Sequence, residues 1–371
     1  MSELLSGLGK TVEKKGAHTY SVSGNGPYEH IITPEVSKRM RASIVLTGPL
    51  LARTKEVQFP HPGGCIIGER PIDLFIEGFK AMGAKVRVKQ GMYHIHAESG
   101  LRGAHIFLKN QSVTVTETFL MAGVLAKGET VIENAAMEPE VADLINFLQM
   151  GGADISGAGT TTLRIKGGKL LSAKGSSYTV LPDRIEAGSF LILGALAAKK
   201  LTLKKCNPAH MKALTSILEA SGVNMHIGKD YIVVEKGRKK TKAVSFKTHE
   251  YPGFPTDLQA PMTVFLTQAQ GESLVFETIF EGRLHYTERL VDMGANIISM
   301  DPHRIMVKGP TPLHGKVMES PDLRAGLAYV IAAIVAKGSS VIHNVYNIDR
   351  GYERIGERLR AIGVDIKRGS E

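Results

Sequence analysis

Along this chain, apolar positions recur in a helical rhythm. The rhythm runs into a Gly-Ala/Val-x-apolar signature, then a short turn, then a stretch that alternates apolar and polar residues. The signature is plainest in MGAKV, GGADI, SGVNM, MGANI and IGVDI. Its glycines, Gly83, Gly152, Gly222, Gly294 and Gly363, are spaced by 69, 70, 72 and 69 residues, and Gly9 of LGKTV stands 74 upstream. Six anchors define six copies of one repeat of about seventy residues. A glycine is expected there because the residue after the last helical turn commonly turns left-handed, and only glycine does so at little steric cost.

Upstream of each anchor the pattern predicts two helices separated by a strand. In the third repeat these are TVTETFLMAGVLA, ETVIENA and PEVADLINFLQM, and in the sixth GLAYVIAAIVA, SSVIHNV and YERIGERLRAI. After the anchors, KVRVKQGMYHIHA, MHIGKDYIVVEKG and IISMDPHRIMVKG each read as two strands around a polar or glycine turn. The repeat is therefore strand, helix, strand, helix, hairpin, a βαβαββ order. The first helix of each repeat is apolar nearly all round and has to be enclosed. Three repeats around a shared core would put helices inside and sheets outside, an α/β fold of two inside-out barrels. Repeats one to three are assigned to a first domain, 1–178, and repeats four to six to a second, 179–371, with the seam near SAKGSSYTVLPDR. The position of Gly9 places about 45 residues of the first repeat upstream of Met1. The last repeat stops after DIKRGSE, before its second hairpin strand, and an unpaired sheet edge is expected there.

Composition narrows the class. At 371 residues and 43% hydrophobic the chain can bury two cores, it holds no apolar run long enough to span a bilayer, and its start lacks a secretory pattern. A cytoplasmic protein without membrane insertion follows. Only Cys65 and Cys206 occur, which argues against a disulfide framework and excludes a cysteine-held metal. The net charge of +10 is scattered, apart from Lys236, Arg238, Lys239, Lys240 and Lys242. With no aromatic among them, that run reads as a solvated turn. Scattered cations suit pockets for small anions better than a nucleic-acid track, so no nucleic acid is expected.

Departures from the repeat are where a repeat protein keeps its chemistry. The second repeat carries FPHPGGCIIGERPID, a glycine-rich loop with Cys65 beside Glu69 and Arg70. It reads as mobile, and its cysteine is either a passive residue or an accessible acid or nucleophile. Acidic and basic residues recur near the starts of first helices: Arg41 in SKRMRAS, Asp183 and Arg184 in LPDRIEAG, Asp257 in PTDLQA, and Asp322 and Arg324 in SPDLRAG. An aspartate there is an N-cap by default. An arginine opposes the helix dipole and is harder to dismiss. Arg70, Arg283 and Arg350 stand at equivalent second-helix positions. Such arginines either bridge surface charges or hold carboxylate and phosphate groups by paired hydrogen bonds.

With these residues assembled, the chain resembles the UDP-N-acetylglucosamine enolpyruvyl transferases from about Leu4 to Arg368. MRASI, PGGCIIGERPID, GAHI, ENAAMEPE, LPDRIEAG, FPTDLQA, SPDLRAG and NIDRGYERI stand in the family's order. The resemblance implies two inside-out barrels with the substrates, UDP-N-acetylglucosamine and phosphoenolpyruvate, in the cleft between them, and no cofactor or metal. It implies that Cys65 protonates or captures phosphoenolpyruvate and is the residue alkylated by fosfomycin, and that Asp257 contacts the sugar hydroxyl as the base. Arg70 and Arg350 would bind phosphoenolpyruvate with support from Arg324, and Arg41 and Arg283 would be further cleft arginines. Uridine and diphosphate contacts would fall on Arg70, Pro71, Ile72, Asp73, Leu74, Ser112, Val113 and Ile279, with the sugar on Asp257.

Several positions leave the family pattern. Asn110 and Thr114 stand where a lysine and a glycine are common, Met137 replaces an arginine, and Asn347 a histidine. The family's Gly-x-Lys-Asn segment would lie before Met1. The runner-up reading is therefore a non-catalytic sugar-nucleotide-binding paralogue. The shikimate-pathway enolpyruvyl transferases share the architecture but not PGGCIIGERPID or NIDRGYERI, and a nucleic-acid-binding repeat protein would rest on charge alone. The oligomeric state is not legible.

Overall fold

Each repeat closes on the turn expected of its anchor glycine. In the computed structural model, which describes residues 1–24, 28–63 and 71–369, Gly9, Gly83, Gly152, Gly222, Gly294 and Gly363 have φ from 84 to 105°. At every one, the next residue's N–H returns to the carbonyl five positions back. The bonds run Lys10 to Leu5 (3.0 Å), Ala84 to Phe79 (3.0 Å), Ala153 to Leu148 (3.1 Å), Val223 to Leu218 (2.9 Å), Ala295 to Leu290 (2.9 Å) and Val364 to Leu359 (3.1 Å). This is the Schellman ending, which satisfies carbonyls that a helix end leaves bare. From Phe79 onward the accepting residues are also buried core side chains, so the turn fixes the helix end to the interior.

The chain divides into two compact units between Leu181 and Pro182. In the first, α1 (Ser2–Gly7) leads into the hairpin β1 (Thr11–Lys14) and β2 (Tyr20–Ser23). The second repeat follows as α2 (Pro34–Arg39), a 3-10 turn (Arg41–Leu46), α3 (Thr47–Thr54), β3 (Glu56–Pro60), α4 (Asp73–Ala81), β4 (Lys85–Lys89) and β5 (Met92–His96). The third is β6 (His105–Phe107), α5 (Val113–Leu125), β7 (Glu129–Glu133), α6 (Pro139–Met150), β8 (Asp154–Ser156) and β9 (Thr162–Lys166). Its sheet has the order β6-β7-β9-β8. The opening strand runs parallel to the middle one, with Ile106 opposite Ile132, as a crossover through a helix requires, and the hairpin is antiparallel.

The second compact unit repeats the plan. The fourth repeat is α7 (Arg184–Ala197), β10 (Lys200–Lys204), α8 (Lys212–Ala220), β11 (Asn224–Ile227) and β12 (Tyr231–Glu235). The fifth is β13 (Phe246–Lys247), a 3-10 turn (Thr256–Leu258), α9 (Gln259–Gln268), β14 (Gly271–Phe276), a second 3-10 turn (Glu281–Leu284), α10 (Thr287–Asp292), β15 (Asn296–Asp301) and β16 (Arg304–Gly309). The sixth is β17 (Val317–Glu319), α11 (Leu323–Val335), β18 (Val341–His343), α12 (Tyr346–Asp349) and α13 (Ile355–Ala361).

The predicted enclosure of the first helices is what the packing shows. Every residue of α9 from Gln259 to Thr267 is buried, as is α11 from Ala325 to Ala332, and α9 packs on both α7 and α11. The sheets lie outside them. Val275, Ile305 and Val307 point inward from β14 and β16, while Ile298 on β15 and Phe107 on β6 face solvent. In the first compact unit, α3 crosses α5 where a Cβ on Gly48 would come within 2.3 Å of the Thr118 carbonyl, so glycine sets how near the two helices approach.

Three details depart from the repeat as read. Among the described residues neither the second nor the fourth repeat has an opening strand: in the second Ile31 makes only an isolated parallel bridge to Gln58, and in the fourth Pro182, without an N–H, could not add to a ladder. The last repeat's second helix, read as YERIGERLRAI, forms only from Ile355 onward as α13, with Arg354 just before it at φ 48° and the short α12 upstream. Tyr352, between the two helices, is fully buried. The sixth repeat shows no hairpin among the described residues, and β18 pairs only with β17.

One carboxyl sits uneasily in this apolar interior. Glu117 on α5 is half-buried and faces Glu138 and Glu140 at the start of α6; burial and those two charges push its pKa from 4.5 up to about 7. It stays protonated in the fold where it would ionise in the unfolded chain. Its contribution to stability is complete below pH 4.5 and is lost as pH rises through about 7. Glu117→Gln should therefore flatten the pH dependence of thermal unfolding between about pH 5 and 8, and stabilise the protein at pH 8 by on the order of 1–3 kcal/mol. At the repeat anchor, where the backbone is left-handed but the space around it is open, Gly152→Ala should cost about 1–2 kcal/mol in denaturant unfolding. Gly356→Ala, on a right-handed helical turn with equal space, should be neutral or slightly stabilising.

Candidate active site

The aspartates at the starts of first helices do not share one role. Asp183 accepts from the N–H groups of Ile185 (2.8 Å) and Glu186 (2.9 Å), and Asp322 from those of Arg324 (2.8 Å) and Ala325 (3.0 Å). Both are N-caps, as their position alone predicts. Asp257 is not. It lies in the turn Thr256–Leu258 before α9, and its carboxylate accepts from Arg283 Nη1 at Oδ1 (2.8 Å) and from Arg324 Nη2 at Oδ2 (2.9 Å). Both arginines singled out from their helix-start positions thus meet on one carboxylate.

These cations are held deep. The side chain of Arg283 is 6% exposed and that of Arg324 is 18%, while Asp257 keeps 34% of its surface open. Burial opposes the charge on Arg324, but Asp257 and the Tyr352 hydroxyl outweigh it and raise the guanidinium pKa above its usual value. Arg324 Nη1 also donates to the Tyr352 hydroxyl (3.1 Å), which lies 2.9 Å from Ser189 Oγ. Ser189 spends its single proton on the carbonyl of Ile185 (2.8 Å), so it accepts from Tyr352, and Tyr352 in turn accepts from Arg324. Burial raises the Tyr352 pKa and keeps the proton this relay needs.

A second carboxylate frames the first. Glu277, fully buried after β14, accepts at Oε1 from the N–H groups of Ile279 (2.9 Å) and Phe280 (3.1 Å), and at Oε2 from the Thr256 hydroxyl (2.9 Å). It ties the residue preceding Asp257 to the segment leading into the turn that carries Arg283. Sequence reasoning missed Glu277, Ser189 and Tyr352. The signal available was a glutamate closing an apolar strand and a tyrosine inside NIDRGYERI.

The remaining expected residues are placed as follows. Arg350 is exposed at the end of α12, beside Asp349, which is paired with Arg368 (2.6 Å). Asn347 donates to the Ser320 carbonyl (2.9 Å), a structural use for the residue that departs from the family pattern. In the first compact unit Ser112 caps α5 by accepting from the Val115 N–H (3.4 Å), and Val113 opens that helix. Ile72 is buried just before α4, Pro71 and Asp73 are exposed, Leu74 is half-buried, and Arg41 opens its 3-10 turn half-buried. Asn110 is exposed, and Thr114 and Met137 are half-buried. Cys65 and Arg70 lie outside the described residues.

Solved structures share this fold. The enolpyruvyl transferase NikO from Streptomyces tendae matches with a TM-score of 0.85 at 23% identity, over 99% of this chain and 86% of that one. An EPSP synthase from Acinetobacter baumannii matches at 0.71 and 19%, over 99% and 88%. The family model for EPSP synthase (3-phosphoshikimate 1-carboxyvinyltransferase) matches residues 1–359. Proteins named UDP-N-acetylglucosamine 1-carboxyvinyltransferase are 43% identical in Shewanella piezotolerans, over 99% of this chain and 87% of that protein, and 46% in Koribacter versatilis, over 92% and 79%. One from Acidobacterium capsulatum is 46% identical over 99% and 84%. The chain belongs to the enolpyruvyl transferase family, with the UDP-N-acetylglucosamine 1-carboxyvinyltransferases as its relatives.

The clamp makes a prediction separable from turnover. Asp257→Ala leaves two buried guanidinium groups without their counter-charge and should destabilise the protein by about 2–4 kcal/mol in denaturant unfolding. Tyr352→Phe leaves one Arg324 N–H without its acceptor and should cost about 1–2 kcal/mol. Equal stability of either variant with the parent would show that the clamp does not hold the site.

Proposed function

We propose that this protein transfers the enolpyruvyl group of phosphoenolpyruvate to the 3-hydroxyl of UDP-N-acetylglucosamine and releases phosphate, the first committed step of peptidoglycan synthesis, carried out in the cytoplasm. Roles in cell shape, the cell cycle and cell division would follow from that step. Relatives at 42–46% identity over nearly the whole chain support the reaction. The observation that carries it to a residue is the Asp257 carboxylate, partly open to solvent and gripped by Arg283 and Arg324.

In this reaction the 3-hydroxyl oxygen bonds to carbon 2 of phosphoenolpyruvate while its proton goes to a base, and carbon 3 gains a proton from an acid. The tetrahedral adduct then loses phosphate, and a proton leaves carbon 3 as the double bond re-forms. Asp257 is the base in this reading and Cys65 the acid or covalent anchor. Arg70 and Arg350 hold the carboxylate and phosphate, Arg324 supports them, and Arg41 and Arg283 add positive charge. The nucleotide rests on Pro71, Ile72, Asp73, Leu74, Ser112, Val113 and Ile279. The Asp257 carboxylate accepts one guanidinium hydrogen bond at each oxygen and keeps a lone pair on each for a proton, while the two arginines fix its orientation.

Phosphate release from phosphoenolpyruvate with UDP-N-acetylglucosamine tests this. Turnover is expected, falling at least ~100-fold in Asp257→Asn. Sugar-nucleotide binding without turnover would instead support a non-catalytic paralogue. Cys65→Asp should keep turnover and abolish inactivation by fosfomycin. Persistent inactivation would remove Cys65 from the reading.

A further inference from the structure

The basic run after β12 reads from the sequence as an ordinary solvated turn, but the fold adds to it. The end of β12 pairs with the start of β10, with Lys200 opposite Glu235, and the Lys236 N–H donates to the Lys199 carbonyl (2.9 Å). A second basic pair, distant in sequence, thereby joins one end of the same sheet. The far end of the loop is tied down as well. The Lys242 N–H donates to Ser221 O (2.9 Å), Ser221 Oγ donates to Lys242 O (2.5 Å), and the Gln270 N–H donates to Thr241 O (2.8 Å).

Charge balance at this end is one-sided. The acidic neighbour Glu235 is already taken by Lys200 (2.8 Å). Lys199, Lys236, Arg238, Lys239, Lys240 and Lys242 are all exposed, and none forms an ion pair among the described residues. Five unneutralised cations on a loop anchored at both ends, with Lys199 beside them, repel one another, and an anionic surface would relieve that repulsion.

We propose that this end of the fourth-repeat sheet is a docking surface for an anionic lipid bilayer, adsorbing the protein without insertion. Five of the six cations are lysines, point charges that need no fixed partner geometry, whereas recognition of nucleic acid favours arginine forks and stacking aromatics, and the basic run holds one arginine and no aromatic. No helix among the described residues is long and apolar enough to cross a membrane, so the contact is electrostatic and superficial. The proposal is independent of the enzymatic reading.

Co-sedimentation with vesicles tests it, comparing phosphatidylcholine alone with phosphatidylcholine carrying about 30% phosphatidylglycerol. At about 0.1 M salt the protein should pellet with the anionic vesicles only, and at about 0.5 M it should be released. A variant with Lys236, Arg238, Lys239 and Lys240 changed to Gln should bind at least ~10-fold more weakly, with unchanged thermal unfolding. A control with Lys80, Lys85, Arg87 and Lys89 changed to Gln loses the same charge from the exposed surface of the second repeat and should bind within ~3-fold of the parent. Equal weakening in both variants would reduce the effect to net charge and overturn the proposal. So would absence of vesicle binding, or preference for duplex DNA over vesicles at equal phosphate concentration.

Discussion

The structure depends on helices that are apolar on every side. An amphipathic helix can lie on a surface, but α9 and α11 have no face to give to water, so each must be surrounded. A single repeat cannot surround its own first helix. Grouping the first helices of several repeats does so, and the sheets are left as the outer layer with one face wet. From this follow the parallel opening strand, the antiparallel hairpin and the glycine turn that brings the chain back over the helix end. The left-handed glycine is the smallest part of the device and the one that recurs at all six anchors.

The same enclosure shapes the candidate site. First helices that point into a core carry their starting residues to its rim, where charge is partly shielded from water. An arginine at the second position of α11 is poorly placed by the helix dipole, yet Asp257 on one side and Tyr352 on the other hold it. Tyr352 reaches that place from the non-helical segment between α12 and α13. A departure from repeat regularity and a departure from helical backbone thus serve one contact.

Charge works differently in two parts of the second compact unit. Around Asp257 the guanidinium groups are buried and matched to a carboxylate, so their attraction is weakly screened and specific. At the end of the fourth-repeat sheet the cations are exposed and unmatched, so their field is diffuse and depends on ionic strength. A single overall charge of +10 contains both kinds.

Much of this was legible in the sequence because it is local. The 3.6-residue and 2-residue periodicities and the spacing of the anchor glycines report on neighbours a few positions apart, and they located the elements of the third repeat almost residue by residue. The arginines and aspartates at helix starts were also visible as departures. What the sequence left open was which aspartate caps a helix and which does not. Asp183, Asp257 and Asp322 stand at comparable places in similar motifs, and only the positions of Arg283 and Arg324, 26 and 67 residues away, separate Asp257 from the others. The roles of Ser189, Glu277 and Tyr352, and the joining of Lys199 to the basic loop, were likewise decided by tertiary structure. They are contacts between segments far apart in the chain, set by how the enclosed helices pack, and no local pattern encodes which distant partner a side chain will meet.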